Sequence, residues 1–66
     1  MKKTFEIRAR LEKKVPDGEV LTRITWETMA DDMCEAHVKA RTYIRMAERD
    51  EQASCSWMTV EEAEDA

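Results

Sequence analysis

The sequence is poor in the residues from which most active sites and metal sites are built. Its 66 residues include one glycine, one proline, one histidine and two cysteines. A single glycine excludes the glycine-rich loops that hold phosphate groups. One histidine and two cysteines also fall short of the two ligand pairs of a structural zinc site. We therefore expect no enzymatic activity, no metal and no cofactor.

Long apolar segments are missing as well. No run of apolar residues is longer than two, which excludes a transmembrane helix. The chain starts with Met-Lys-Lys-Thr-Phe-Glu-Ile-Arg and lacks the apolar stretch of a secretory signal. Two cysteines in such a chain are expected to remain reduced thiols. The sequence thus predicts a cytoplasmic protein without membrane contact.

Positive charge is in the minority. The net charge is −4, from 15 acidic and 11 basic residues. This disfavours general nucleic-acid binding, which needs a cationic surface. All lysines and arginines lie at or before Arg49, and the acids that follow it include those of residues 61–66. We expect these last residues to form a frayed acidic tail.

The length allows one small domain, residues 1–66. A core of this size rarely supplies more than roughly 3–5 kcal/mol of net stability. Because disulfides and metals are not expected, we expect a partner protein or a second copy to supply further stability.

One long helix is predicted over Asp31–Arg49, which contains no glycine or proline. Residues spaced three and four apart form its apolar face: Met33, Ala36, His37, Ala40, Tyr43, Ile44 and Ala47. Asp31 or Asp32 caps the first turn, and Glu35 has the spacing of a capping box. A short polar connection, residues 50–52, follows the helix.

Three segments alternate between apolar and polar residues and are predicted as strands. The first is Thr4–Lys13, and the turn Val15–Glu19 connects it to the second, Val20–Ala30. The Trp26 face of the second strand is expected to point inward. Ser54–Val60 is the third strand, and its pattern does not decide whether Trp57 or Met58 faces the helix.

These elements predict an α+β domain with the order β-β-α-β. The helix covers one face of a three-stranded, mostly antiparallel sheet, and the other face stays bare. Two strand orders are open, 2-1-3 and 1-2-3. We favour 2-1-3 because the first strand has the cleanest alternation and no proline.

Cys34, His37 and Cys55 are the residues from which a zinc site or a catalytic cysteine could be built, while the paired carboxylates Asp31 and Asp32 are more simply a helix cap. Catalysis by a cysteine and a histidine needs a shaped pocket and a third, orienting group. Two layers in 66 residues scarcely form such a pocket. We expect both cysteines to be small buried hydrophobic residues and His37 to lie at the helix–sheet boundary.

Two surfaces are candidates for binding another protein. The bare sheet face carries Arg8, Arg10 and Arg23, with Met29 as an apolar anchor. The outer helix surface carries Arg41, Arg45 and Arg49. Met58 is a second candidate anchor, since a large apolar group that does not pack on the helix is exposed.

The segment Ile24–Ala40 joins the end of a strand to an acidic cap and a helix that opens with Glu-Ala. In this pattern the chain resembles small phage-encoded proteins, including podoviral inhibitors of bacterial RNA polymerase and compact anti-CRISPR proteins. The similarity covers about a quarter of the chain. It implies a class of small, non-enzymatic proteins that act by binding a larger one, and it assigns no functional residue.

Our hypothesis from the sequence is a cytoplasmic phage or prophage protein that binds and inhibits a larger host protein complex. One alternative is a nucleic-acid-associated module that uses the basic outer face of the helix. A second alternative is a structural homodimer joined through the bare sheet face.

Overall fold

A computed structural model describes residues 2–63. Its elements are β1 (Lys3–Val15), β2 (Gly18–Ala30), α1 (Met33–Glu51) and β3 (Ser54–Glu62). The three strands form one antiparallel sheet with the order β2-β1-β3. The predicted α+β class, the β-β-α-β order and the strand order 2-1-3 are confirmed.

Strand β1 supplies most of the core because it lies between the other two strands. Phe5, Ile7, Ala9 and Leu11 are each at most 2% exposed. They alternate with Glu6, Arg8, Arg10 and Glu12, so that one side of the strand is buried and the other is polar. Burial of each large apolar side chain contributes roughly 1.5–3 kcal/mol.

Helix α1 packs on this row through a narrow line of residues. Only Ala36, Ala40 and Ile44 of the helix are buried. The two alanines lack bulk, which lets the helix backbone approach the sheet closely. Met33, His37 and Tyr43 had been predicted on the buried face, but they are exposed. A three-stranded sheet is too narrow to cover the flanks of a helix.

The β1–β2 hairpin closes through Pro16 and Asp17, with Val15 opposite Gly18. Gly18 has a φ of 145°, a backbone conformation that residues with a side chain rarely adopt. The strand pairing continues without interruption to Lys3 and Ala30. The predicted inward orientation of Trp26 is correct, since it packs against the core and its ring lies 4.4 Å from that of Tyr43.

Several predicted boundaries were wrong, and the predicted turn Val15–Glu19 is reduced to Pro16 and Asp17. Asp50 and Glu51 belong to the helix, which ends at Gln52 in a left-handed conformation with a φ of 53°. The N–H groups of Gln52 and Ala53 donate to the last helical carbonyls, which is the Schellman arrangement. Glu61 and Glu62 belong to β3 and are not a frayed tail. Residues 64–66 of the predicted tail lie outside the described residues.

The sheet is longer than the helix that covers it. A strand of 13 residues spans about 43 Å, whereas a helix of 19 residues spans about 28 Å. The molecule is accordingly elongated, with principal extents of 47, 22 and 14 Å. The tip of the hairpin therefore extends past the end of the helix.

The start of the helix is fixed by a capping network around Glu35. Asp32 Oδ1 accepts a hydrogen bond from the Glu35 N–H at 2.8 Å, and Glu35 Oε2 accepts one from the Asp31 N–H at 3.1 Å. Lys2 and Lys39 donate to Glu35 Oε1 at 3.0 and 3.2 Å. These contacts, led by the backbone hydrogen bond, lower the pKa of Glu35 from 4.5 to about 2. The predicted Asp32 cap is confirmed.

We expect Glu35→Gln to destabilise the fold at pH 7 and to change its pH dependence. Because the pKa of Glu35 is lower in the folded chain, the carboxylate stabilises the fold above pH 4.5, and this contribution disappears as the pH falls to about 2. Urea unfolding of both proteins between pH 7 and pH 2 measures the effect. The two curves should converge at low pH, and parallel curves would contradict the account. Glu19→Gln is the matched control for the loss of one carboxylate.

Candidate interaction surface

The side of the sheet that faces away from the helix, here called the open face, is organised in cross-strand rows. Strand pairing places Glu27, Glu6 and Glu61 in one row. The next row is Thr25, Arg8 and Thr59, and the third is Arg23, Arg10 and Trp57. Arg8 thus lies at the centre of the middle row. The acidic row lies on one side of it, and the row that contains Arg23 and Arg10 lies on the other.

A β-bulge determines where Trp57 points. Arg10 is opposite Trp57, but the next residue, Leu11, is opposite Cys55, so Ser56 is the extra residue. The bulge turns Cys55 toward the helix side and leaves Trp57 on the open face. The Ser56 hydroxyl donates to the Arg10 carbonyl at 3.3 Å and accepts from Arg10 Nε at 3.0 Å, which holds the bulge in place.

Trp57 lines a shallow depression near the middle of the open face. Its other lining side chains include Glu6, Arg8, Arg23 and Thr25. Trp57 is 39% exposed, although it is one of only two tryptophans in the chain. Large aromatic and arginine side chains that remain accessible together are typical of the centres of protein interfaces.

Ion pairs along β1 hold two of the arginines. Arg8 lies 2.6 Å from Glu6, and Arg10 lies 3.3 Å from Glu12. Within residues 2–63, no ion pair or hydrogen bond engages the side chain of Arg23. Exposed pairs of this kind contribute little to stability, and their main effect here is to orient the guanidinium groups on the face.

The structure divides the predicted site residues into two groups. Arg8, Arg10, Arg23 and Met29 lie on the open face, and Met29 is 52% exposed at its edge. The remaining four lie on the helix side of the sheet: Arg41, Arg45, Arg49 and Met58.

Met58 is opposite Ala9 in the sheet and packs against the core, so it is not an anchor of the open face. It lines a groove between α1 and β3 together with Arg41 and Arg45. The residue pattern of the third strand leaves the orientations of Met58 and Trp57 open. Trp57 is the exposed member of the pair, and it was absent from the predicted site.

The cysteines and the histidine do not converge. Cys34 is exposed, contrary to the predicted burial, and His37 is exposed rather than at the helix–sheet boundary. Cys55 is half-buried, and its thiol donates to the Trp57 carbonyl at 3.1 Å. Among residues 2–63, no three side chains of the metal-ligating types lie close enough to hold an ion.

The two thiols are expected to differ in reactivity. Burial, together with the charge of Glu48, raises the pKa of Cys55, while Cys34 is freely exposed. A thiol reagent such as Ellman's reagent at pH 8 should modify Cys34 at least tenfold faster than Cys55, because the thiolate is the reactive form. The variants Cys34→Ser and Cys55→Ser show which thiol reacts in the fast phase and which in the slow phase. Equal rates would contradict the described environment of Cys55.

Comparison of the chain with protein-family models, with curated proteins and with solved structures finds no match. In the described part of the chain, no helix combines the length and the apolar character that a membrane crossing requires.

Proposed function

We propose that this chain is a small, non-enzymatic cytoplasmic protein that binds a partner protein through the open face. The observation that carries the proposal is Trp57, which remains 39% exposed in the same row as Arg10 and Arg23. Tryptophan and arginine are the residues most enriched among those that dominate binding energy. Arg8 completes the centre of the surface, and Met29 provides apolar contact at its edge.

The charges of the open face favour a protein partner over nucleic acid. Four basic residues on this face, including Lys14, are accompanied by the carboxylates of Glu6, Glu12, Glu19, Glu27 and Glu61. A phosphate backbone would meet these acids, whereas a protein surface with both signs of charge can match them. Charge pairing would orient the partner, and Trp57 would supply most of the contact energy.

The kind of partner follows from the resemblance noted in the sequence. The segment Ile24–Ala40 resembles phage proteins that inhibit bacterial RNA polymerase or CRISPR complexes. We accordingly propose that the chain originates from a phage or prophage and inhibits a larger host complex. Binding across the open face would block a site on that complex without chemistry by the inhibitor.

One other surface supports a different function. Arg41, Arg45 and Arg49 are exposed at intervals of four residues along α1, and two of them adjoin the groove that contains Met58. A basic helix of this kind suits a nucleic-acid-associated module. Binding through it would weaken steeply with salt, because phosphate contacts release counterions.

A capture experiment with paired variants tests the proposal. Tagged protein is incubated with nuclease-treated bacterial lysate, and the affinity for the captured protein is then measured with purified components. Trp57→Ala combined with Arg8→Ala should weaken this affinity at least tenfold, as expected for the centre of an interface. Arg41→Glu combined with Arg45→Glu is the control on the helix and should leave the affinity within threefold.

The opposite pattern would overturn the proposal. Loss of binding in the helix variant with retention in the Trp57 variant would assign function to α1. Capture of nucleic acid alone in a parallel incubation with untreated lysate, abolished when nuclease is added, would do the same. Circular dichroism of each variant verifies that the fold is retained.

A further inference from the structure

Strand β2 is a long edge of the sheet without the usual protection. It has 13 residues, no proline and no bulge in its pairing with β1. The other edge, β3, has nine residues and is interrupted by the bulge at Ser56. Bulges, prolines, short lengths and charged side chains are the common means by which natural sheets prevent edge pairing. Strand β3 is short and bulged, whereas β2 has only charged side chains, which a partner of opposite charge can match.

The strand register identifies which backbone groups of β2 point away from β1. The Ala63 N–H donates to the Thr4 carbonyl at 2.9 Å, so even-numbered residues of β1 face β3. Odd-numbered residues of β1 then face β2, where their partners are even-numbered. The odd-numbered residues of β2 therefore point their N–H and C=O groups outward. In agreement, the Met29 carbonyl accepts a hydrogen bond from Lys39 Nζ at 2.7 Å.

The charges of β2 are mismatched within the chain. Glu27 lies opposite Glu6, and Arg23 lies opposite Arg10. Like charges directly across a strand pair are destabilising. Glu6 and Arg10 have ion-pair partners on β1 itself, but within residues 2–63 no ion pair engages Arg23 or Glu27. The edge thus presents one unmatched cation, Arg23, and one unmatched anion, Glu27, four residues apart.

We infer that a second copy of this chain pairs with β2 in antiparallel fashion, with the two-fold axis at Thr25. This register places Arg23 opposite Glu27 of the second copy, and the pair occurs twice. It also places Leu21, which is 53% exposed, opposite Met29, which is 52% exposed. Every large or charged side chain that β2 places on the open face between Leu21 and Met29 then lies opposite a complementary side chain of the second copy.

Neighbouring registers lack this complementarity. An axis at Ile24 puts Leu21 opposite Glu27, and an axis at Trp26 puts Arg23 opposite Met29. An axis at Arg23 places that arginine against itself. The pattern of charge and apolar residues along β2 therefore specifies the axis at Thr25, as side-chain pairs generally specify register.

The helix flank beside β2 agrees with this arrangement. Tyr43 is 47% exposed and Met46 is 62% exposed, and both line a cleft of about 350 Å³ with Ile24. A two-fold axis perpendicular to the sheet places both helices on the same side of it. Each copy then contributes Tyr43 and Met46 to the space above the joined β2 strands, where they become covered. The open faces join into one six-stranded surface with two Trp57 side chains.

Molar mass and charge exchange test the inference independently of the proposed function. Sedimentation equilibrium of the wild-type protein should give twice the 7.7 kDa of one chain. Arg23→Glu should raise the dimer dissociation constant at least tenfold, because acid then opposes acid at both ends. The combined Arg23→Glu and Glu27→Arg variant should restore it to within threefold of wild type.

The Arg23→Glu variant is expected to fold, so that its weaker dimerisation does not result from unfolding. Arg23→Glu removes the like-charge contact with Arg10 and should not lower the melting temperature of the monomer. Thr25→Pro is a second variant, because the N–H that it removes faces outward and makes no hydrogen bond to any of residues 2–63. This variant should also give a monomer. A wild-type monomer at millimolar concentration would overturn the inference. So would a dimer that is abolished by Trp57→Ala but unaffected by Arg23→Glu, which would place the contact on the open face.

Discussion

The structure depends on the burial of one strand beneath one helix. Phe5, Ile7, Ala9 and Leu11 of β1 lie under Ala36, Ala40 and Ile44 of α1, and these seven residues with Ala30 form the entire buried set among residues 2–63. Both neighbouring strands are held by hydrogen bonding to β1. Because the layer is so thin, the chain buries one side of its sheet and leaves the other side to solvent or to a partner.

The surfaces proposed for binding are the consequence of this incomplete coverage. The helix leaves the whole open face uncovered, together with the hairpin tip and the flank beside β2. Large side chains remain accessible in each region, as Trp57, Val20 and Met46 illustrate. A small domain with modest core stability has most to gain from covering such groups through association. In the proposed dimer, the unmatched charges of β2 would add the specificity that apolar contact alone does not provide.

The fold was predictable where local pattern and packing agree. The alternation from Phe5 to Leu11, the inward orientation of Trp26 and the Asp32 cap all follow from residue spacing. The end of the helix was not predictable, because Gln52 adopts a left-handed conformation for which glycine is the usual signal. The orientation of Trp57 depends on a bulge at Ser56, and a bulge shifts the alternation on which such predictions rest. Trp57 was therefore left out of the predicted site, while Arg8, Arg10 and Arg23 were placed on the face where the structure has them.

The central claim is that β2 is an unpaired edge built for association, and amide hydrogen exchange measures this most directly. In dilute solution, the amides of Thr22, Ile24 and Trp26 should exchange slowly because they face β1. Those of Arg23, Thr25 and Glu27 should exchange rapidly and should become protected as the protein concentration rises. Uniform protection along β2 in the dilute protein, or rapid exchange of the outward amides at every concentration, would contradict the account.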